Sequence, residues 1–247
     1  MKIWALSDPH LCFGAPKKSM EVFGPAWKNY TDKIYANWLT CIEKEDLVLI
    51  PGDISWAMRL KEALIDLSWL DALPGHKIIL RGNHDYWWNS KAKLAQAMPA
   101  SIQCIHNDAI LWQDVAIGGS RLWDTYEYQF TNYIEFRENP LQKTLEEERA
   151  EKQEVIFLRE LERLKLSLKQ LSPLARIRIA LTHYPPIGPY LKPSRASEIL
   201  EHFQIQYCVF GHLHNVRREA LPFGTARGVH YILTSCDYLD FKPLRIL

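Results

Sequence analysis

Five short polar clusters stand in this chain, each at the downstream end of an apolar run: Asp8-Pro9-His10, Gly52-Asp53, Gly82-Asn83-His84-Asp85, His183, and Gly211-His212-Leu213-His214. Together they offer two aspartates, one asparagine and four histidines as possible metal ligands: Asp8, His10, Asp53, Asn83, His183, His212 and His214. This mixed oxygen and imidazole set has no sulfur. It suits Mn, Fe or Zn better than Ca, which prefers oxygen alone, or a structural Cys-rich zinc site. Seven ligands exceed one tetrahedral site but fit two ions that share a carboxylate, and Asp53 has two oxygens to share. Two ions about 3.5–4 Å apart can clamp the attacking and leaving oxygens of an in-line displacement. They also lower the pKa of a water between them. Each cluster alone also has a plain reading. Asp-Pro is a turn signal, although Asp8 and His10, two apart, would leave an extended segment on the same side. Cys12 reads as a small buried hydrophobe. His106, His202 and His230 belong to no cluster and read as structural or solvated.

The elements that must position these residues follow from apolar runs and their periods. Lys2–Ser7, Asp46–Pro51 and His76–Leu80 read as buried strands. Ala26 to about Ile42 and Arg59–Leu73 read as the helices between them, each with one apolar face. Alternating strands and helices imply parallel pairing with right-handed crossovers. Ligands in such sheets gather beyond the carboxyl ends of the strands, where the clusters lie. After a short helix, Lys91–Met98, the runs Ile102–Ile105, Ile110–Trp112 and Val115–Ile117 read as an antiparallel start to a second sheet. Ile177–Thr182 and Tyr207–Phe210 are further core strands, with a helix from Ser194 through Phe203 between them. Two tail strands, His230–Ser235 and about Lys242–Ile246, are expected to complete the second sheet.

Residues 121–171 read differently, as a helical insertion or partial lid within a single domain of residues 1–247. Trp123–Phe136 is rich in aromatics. Asn139-Pro140 suits a helix start. Phe157, Leu161, Leu164, Leu168 and Leu171 then form one amphipathic stripe. The helix can pack on the core, cover the cleft, or make a dimer or membrane contact; the aromatic lead-in places part of the segment at the cleft mouth.

A chain of 247 residues with 47% hydrophobic and 24% charged residues can bury a large core. A net charge of +1 gives no bulk electrostatic case for nucleic-acid or membrane binding. Five scattered cysteines without a C-x-x-C pair make no disulfide framework and suit a reducing compartment. The start is too soon polar for a signal peptide, and no apolar run approaches the ~18 residues of a spanning helix. These features favour a cytoplasmic enzyme; they do not address its oligomeric state.

In their order, the five clusters resemble the signature of the calcineurin-like metallophosphoesterases, across nearly the whole chain. The wording G-D-I-S-W-A at Gly52–Ala57 and R-G-N-H-D-Y-W-W at Arg81–Trp88 is similar to that of a bacterial subgroup of predicted phosphohydrolases. The resemblance implies an α/β (α+β) sandwich of two packed mixed β-sheets flanked by helices. It implies a phosphohydrolase that cleaves phosphodiesters or phosphomonoesters by attack of a metal-bridging hydroxide. One metal would be held by Asp8, His10, Asp53 and His214, the other by Asp53, Asn83, His183 and His212, with Mn favoured. His84 would be no ligand: it would face the substrate and protonate the departing oxygen or stabilise the phosphoryl charge. Asp85 would orient His84 or cap the turn. Every family position carries an expected residue type. A nucleotide-lipid pyrophosphatase of lipid synthesis is an alternative, since similar enzymes carry a helical lid, but those usually have arginine where His84 stands. A metal-bearing scaffold without catalysis is a further alternative. Trp56, Tyr86, Trp87 and Trp88 flank the motifs and either pack or stack on substrate. Arg59, Arg81, Arg217 and Arg218 either bind an extra phosphate or pair with carboxylates.

Overall fold

Strand runs that are apolar at every position need cover on both faces, and the computed structural model supplies it with two packed sheets and an outer layer of helices. It describes residues 1–135, 147–217, 219 and 223–247. The strands are β1 (Ile3–Ala5), β2 (Leu47–Ile50), β3 (His76–Leu80), β4 (Ile102–Ile105), β5 (Ala109–Trp112), β6 (Val115–Ser120), β7 (Ile177–Thr182), β8 (Tyr207–Phe210), β9 (Thr225–Ala226), β10 (Val229–Leu233) and β11 (Leu244–Arg245). The helices are α1 (Tyr30–Cys41), α2 (Leu60–Asp71), α3 (Lys91–Ala97), α4 (Glu147–Leu168) and α5 (Arg195–His202). One sheet has the order β11-β1-β2-β3-β4 and the other β5-β6-β7-β8-β10-β9. Strands β1 to β4 are mutually parallel, as are β6, β7, β8 and β10, while β11, β5 and β9 are antiparallel edges.

The period-two alternation of strand side chains divides the core. Leu47 and Leu49 of β2 join Ile78, Leu80, Ile179 and Leu181 between the sheets. Val48 and Ile50 face the other way, onto Trp38 of α1, Leu67 of α2 and Leu94 of α3. The second sheet is covered by α4 and α5, through Phe157, Leu161, Leu164 and Leu168, and through Ala196, Ile199 and Leu200. The stripe read from the sequence is therefore the buried face of α4, with Leu171 partly buried beside it. The asparagine-proline helix start at Asn139, together with Phe136 and Arg218, lies outside the described residues.

Three expectations need correction. Ile102–Ile105 does not begin an antiparallel run; it pairs parallel to β3 in the first sheet, Lys77 opposite Ile102. Only the β5–β6 hairpin opens the second sheet. A strand of four residues, here I-Q-C-I, carries no signal of its neighbour's direction. The last tail strand belongs to the first sheet, where Ala5 lies opposite Leu244. After β10 the chain bridges to Ser7 at Ser235, which carries it across the end of the sandwich to β1. Finally, α1 starts at Tyr30 rather than Ala26, because Pro25–Trp27 is a 3-10 turn and Asn29 is left-handed at φ 53°. Among the described residues no helix is long and apolar enough to cross a membrane.

Candidate metal centre

All five clusters converge beyond the carboxyl ends of β1, β2, β3, β7 and β8. Asp8, His10 and His214 place one possible ligand atom each within 4.8 Å of one another, and so do Asp8, Asp53 and His183. Asp53 also lies between the groups: its Oδ2 is 3.7 Å from His10 Nε2 and 3.4 Å from His183 Nε2. Asn83 Oδ1 sits 2.7 Å from His183 Nε2 and 3.2 Å from His212 Nδ1. The described geometry thus brings all seven expected residues together, with Asp8 as well as Asp53 placed centrally.

The local backbone is what makes this convergence possible. Asp8, His10, Asp53 and His212 all have positive φ, at 57°, 43°, 53° and 70°. The segment from Asp8 to His10 is therefore not extended, contrary to the reading from spacing, and local twists aim both side chains inward. Non-glycine residues in this region carry strain that clusters at functional sites. Three glycines are needed here for space, among them Gly211, where a Cβ would lie 2.1 Å from Asp8 Oδ2. A Cβ on Gly52, itself at φ 106°, would lie 2.4 Å from His183 Nδ1, and one on Gly82 would lie 2.0 Å from Asp53 Oδ1.

Asp85 is fully buried. Its Oδ1 accepts from the Ile54 and Ser55 amides at 2.9 and 3.1 Å and from Trp87 Nε1 at 2.9 Å, and its Oδ2 accepts from the Gly82 amide at 2.7 Å. These bonds tie the loop after β2 to the loop after β3. They match the turn-holding role rather than the orienting of His84. Burial, then the charge of Asp53, pushes the Asp85 carboxyl up to about 7.

His84 is joined to the centre through its backbone, whose N–H donates to Asp53 Oδ1 at 2.8 Å. Its ring lies 4.3 Å from Trp56 and 5.7 Å from His10, and its buried Nδ1 has no hydrogen-bond partner. Burial lowers its pKa despite the nearby Asp53 carboxylate. Trp56 also stacks on His10 at 4.9 Å, so it walls both imidazoles. Trp87 and Trp88 are buried packing residues, while Tyr86 is 53% exposed beside His84. His106 accepts from Trp88 Nε1 at 3.0 Å, His230 bonds Thr225 across the β9–β10 pair, and His202 is exposed; these match their structural readings.

The donor set fits divalent cations. Asp8, His10, Asp53 and His183 are all at most 2% exposed, and buried carboxylates need a counter-charge. Burial alone would lower the pKa of His183, but Asp53 and Asp8 outweigh it and hold it at about 9. Burial likewise opposes His214, yet Asp237, Asp8 and Asp53 hold it at about 9. Asp53, despite burial, is held well below the usual carboxylate range, mainly by His183. The buried carboxylates thus favour positive charge at this point, as a cation site requires. His10 Nε2 and His214 Nε2 face each other at 3.2 Å, two ring nitrogens aimed at one point, with burial holding His10 well below the usual imidazole range.

Asp237 is a participant that the sequence reading missed. Its Oδ1 accepts from His214 Nδ1 at 2.8 Å and its Oδ2 from the Asn215 amide at 2.8 Å. It follows Cys236 in a tail turn with no strand-end glycine to mark it. A carboxylate on the far nitrogen of a ligand histidine fixes the ring and raises its basicity. Asp237→Ala is therefore expected to weaken metal binding roughly 10–100-fold, the usual range for such partners, measured by titrating chelator-treated protein with Mn and following bound metal.

A buried carboxylate and imidazole cage at the strand ends of a two-sheet sandwich defines a metallohydrolase. Residues 1–216 match the calcineurin-like phosphoesterase family. The chain belongs to that family and is a metal-dependent phosphoesterase. Comparison with curated proteins gave no match. Among solved structures the fold is similar to a protein of unknown function from Aquifex aeolicus, AQ665, at 18% identity and a TM-score of 0.50, covering 99% of this chain and 95% of that one. It is also similar to a phosphopantetheinyl hydrolase from Mycobacterium tuberculosis, at 13% identity and a TM-score of 0.52, covering 100% and 95%.

Proposed function

We propose that this chain is a dinuclear phosphohydrolase that cleaves a phosphodiester or phosphomonoester. Asp8, His10, Asp53 and His214 would hold one ion and Asp53, Asn83, His183 and His212 the other. The observation that carries the reading is the convergence of all seven residues, with His84 held beside them by the Asp53 carboxylate. When bound, such ions supply Lewis acidity toward phosphoryl oxygens and a hydroxide at neutral pH. The chain's own residues do the rest. Asp53 and Asp8 supply the shared negative charge, and Asp237 fixes His214. His84 presents an imidazole N–H toward substrate, to stabilise the phosphoryl charge and to give a proton to the departing oxygen. Asp85 keeps the two ligand loops in register.

Mn is the favoured ion; the scattered free cysteines favour a cytoplasmic setting, and the motif wording favours the bacterial subgroup. Hydrolysis of a chromogenic phosphodiester or phosphomonoester is expected to stop with chelator and return with Mn. A protein that binds Mn tightly yet hydrolyses neither ester would instead be the non-catalytic scaffold.

Residues 121–171 form the proposed partial lid of a single domain. A cavity of about 470 Å³ opens beside His212, lined in part by Trp123, Tyr128, Phe130, Gln153 and Tyr184. Tyr184 carries the wall to the metal centre, its ring 3.8 Å from that of His212. The aromatic lead-in would thus supply part of a substrate pocket, with Gln153 of α4 on its wall and the apolar stripe of α4 packed on the second sheet. Aromatic walls also suit the nucleotide-lipid pyrophosphatase alternative. Trp123→Ala is expected to leave a small chromogenic ester unaffected. It should raise KM up to ~10-fold for a substrate whose ring or chain fills the cavity, as one aromatic contact allows. Equal KM values on large and small substrates would leave Trp123 as packing.

A further inference from the structure

A second, smaller cavity lies at the carboxyl ends of β3, β4 and β6, with a volume of about 70 Å³. That is the space of a few heavy atoms, since a water's share of liquid is about 30 Å³. Arg81, Arg121 and Arg163 line it, with Glu160 and His106. Three guanidiniums thus meet one carboxylate. Arg121 and Arg163 share a single oxygen of it, Glu160 Oε1, at 3.2 and 2.6 Å. Glu160 is 2% exposed and Arg121 11% exposed, so their pairing is removed from bulk water, while Arg163, 37% exposed, reaches the cavity from the solvent side.

Arg81 is left over. Its Nε is buried without a hydrogen-bond partner, and so is the Nε of Arg121. The nearest carboxylate in sequence, Asp85, is committed to three backbone amides and Trp87. Asp108, beside His106, is engaged by Lys91 at 2.6 Å and by the His106 amide at 2.7 Å. His106 accepts at Nδ1 from Trp88, which leaves Nε2 as its protonated nitrogen and another donor on the wall. Buried guanidinium N–H groups are rarely left unsatisfied, and a buried charge without a partner is costly. The cavity therefore has an excess of positive charge, unspent donors and little volume. Guanidinium forks match the oxygens of phosphate.

We propose that this cavity is an oxyanion site that takes a phosphate group on Arg81, Arg121 and Arg163. The group is either free inorganic phosphate or a second phosphate of the substrate. This site is separate from the metal centre and needs no residue of it.

Equilibrium dialysis of the full-length, metal-loaded enzyme with radiolabelled inorganic phosphate tests the site. Chelator removes phosphate held through metal and is expected to leave a saturable second component. Arg163→Gln should weaken that component roughly 10–100-fold, as loss of one charge-assisted hydrogen bond predicts. Glu160→Gln removes the one negative charge and should tighten it. A merely destabilised cavity would weaken in both variants, so the opposite signs identify an anion site. Absence of a chelator-resistant component, or weakening by Glu160→Gln, overturns the proposal. Kinetics separate the two sources. A KM raised by Arg163→Gln only for an ester bearing a second phosphate assigns the site to substrate. Unchanged KM values with intact phosphate binding in the parent enzyme assign it to free phosphate. Because dialysis reads binding rather than turnover, its failure leaves the phosphoesterase reading standing.

Discussion

Asp53→Asn is expected to abolish measurable hydrolysis and to lower the bound metal to below one ion per chain. Asp53, like Asp8, is set against both histidine groups, and its Oδ2 makes the closest approach to His183, at 3.4 Å, while lying 3.7 Å from His10. The substitution removes a negative charge and puts an amide N–H₂ where one acceptor stood. Metal-ion catalysis supplies several kcal/mol of transition-state charge stabilisation, so the loss of rate should be roughly 10³-fold or more. The fold should survive. Asn tolerates the left-handed conformation that Asp53 adopts at φ 53°. Its Oδ1 can still accept from the His84 amide, the bond that now measures 2.8 Å. Metal content by elemental analysis, alongside circular dichroism, gives the check. A folded Asp53→Asn protein with two tightly held ions and near-normal rate would remove Asp53 from the shared position.

Most of this centre was legible because each candidate ligand follows a buried strand at once. Apolar runs and glycines mark where a strand stops, and polar residues there have few other purposes. His183 and His212 were found in that way at the ends of β7 and β8. Asp237 was not, because it comes to His214 through a tail turn and the bridge between Ser235 and Ser7, a long-range contact with no local pattern. The positive φ values at Asp8 and His10 were also invisible, since spacing alone suggested an extended segment. Asp85 shows a different limit. Its residue type allowed orienting His84 or holding the turn, and only its four acceptor contacts distinguish them. Strand existence was clearer than strand partnership. Ile102–Ile105 and Leu244–Arg245 were both expected as strands, yet both pair in the first sheet. Pairing is decided by which edge is free once the crossovers are made, and no window of residues encodes that.

His84→Ala is expected to keep both metals and lose rate by roughly 10²–10⁴-fold, the range for loss of a general acid. Metal retention follows from how His84 is attached. Its bond to the centre is the backbone N–H to Asp53 Oδ1, which alanine keeps. The ring contributes neither to the Asp8, His10 and His214 group nor to the Asp8, Asp53 and His183 group. It rests instead against Trp56 and His10, with a buried Nδ1 that no protein group satisfies. Burial lowers its pKa, which makes the protonated ring a readier proton donor to the departing oxygen and leaves the neutral ring an N–H to hydrogen-bond with. At lower pH it carries the proton that a poor leaving group requires. The loss should therefore be largest on an alkyl phosphate ester. It should shrink on p-nitrophenyl phosphate, whose departing oxygen needs little protonation. Comparing kcat of the parent and variant on the two esters at constant metal occupancy makes the test. Equal losses on both would assign His84 to phosphoryl-charge stabilisation alone, and loss of a metal in His84→Ala would make it part of the cage.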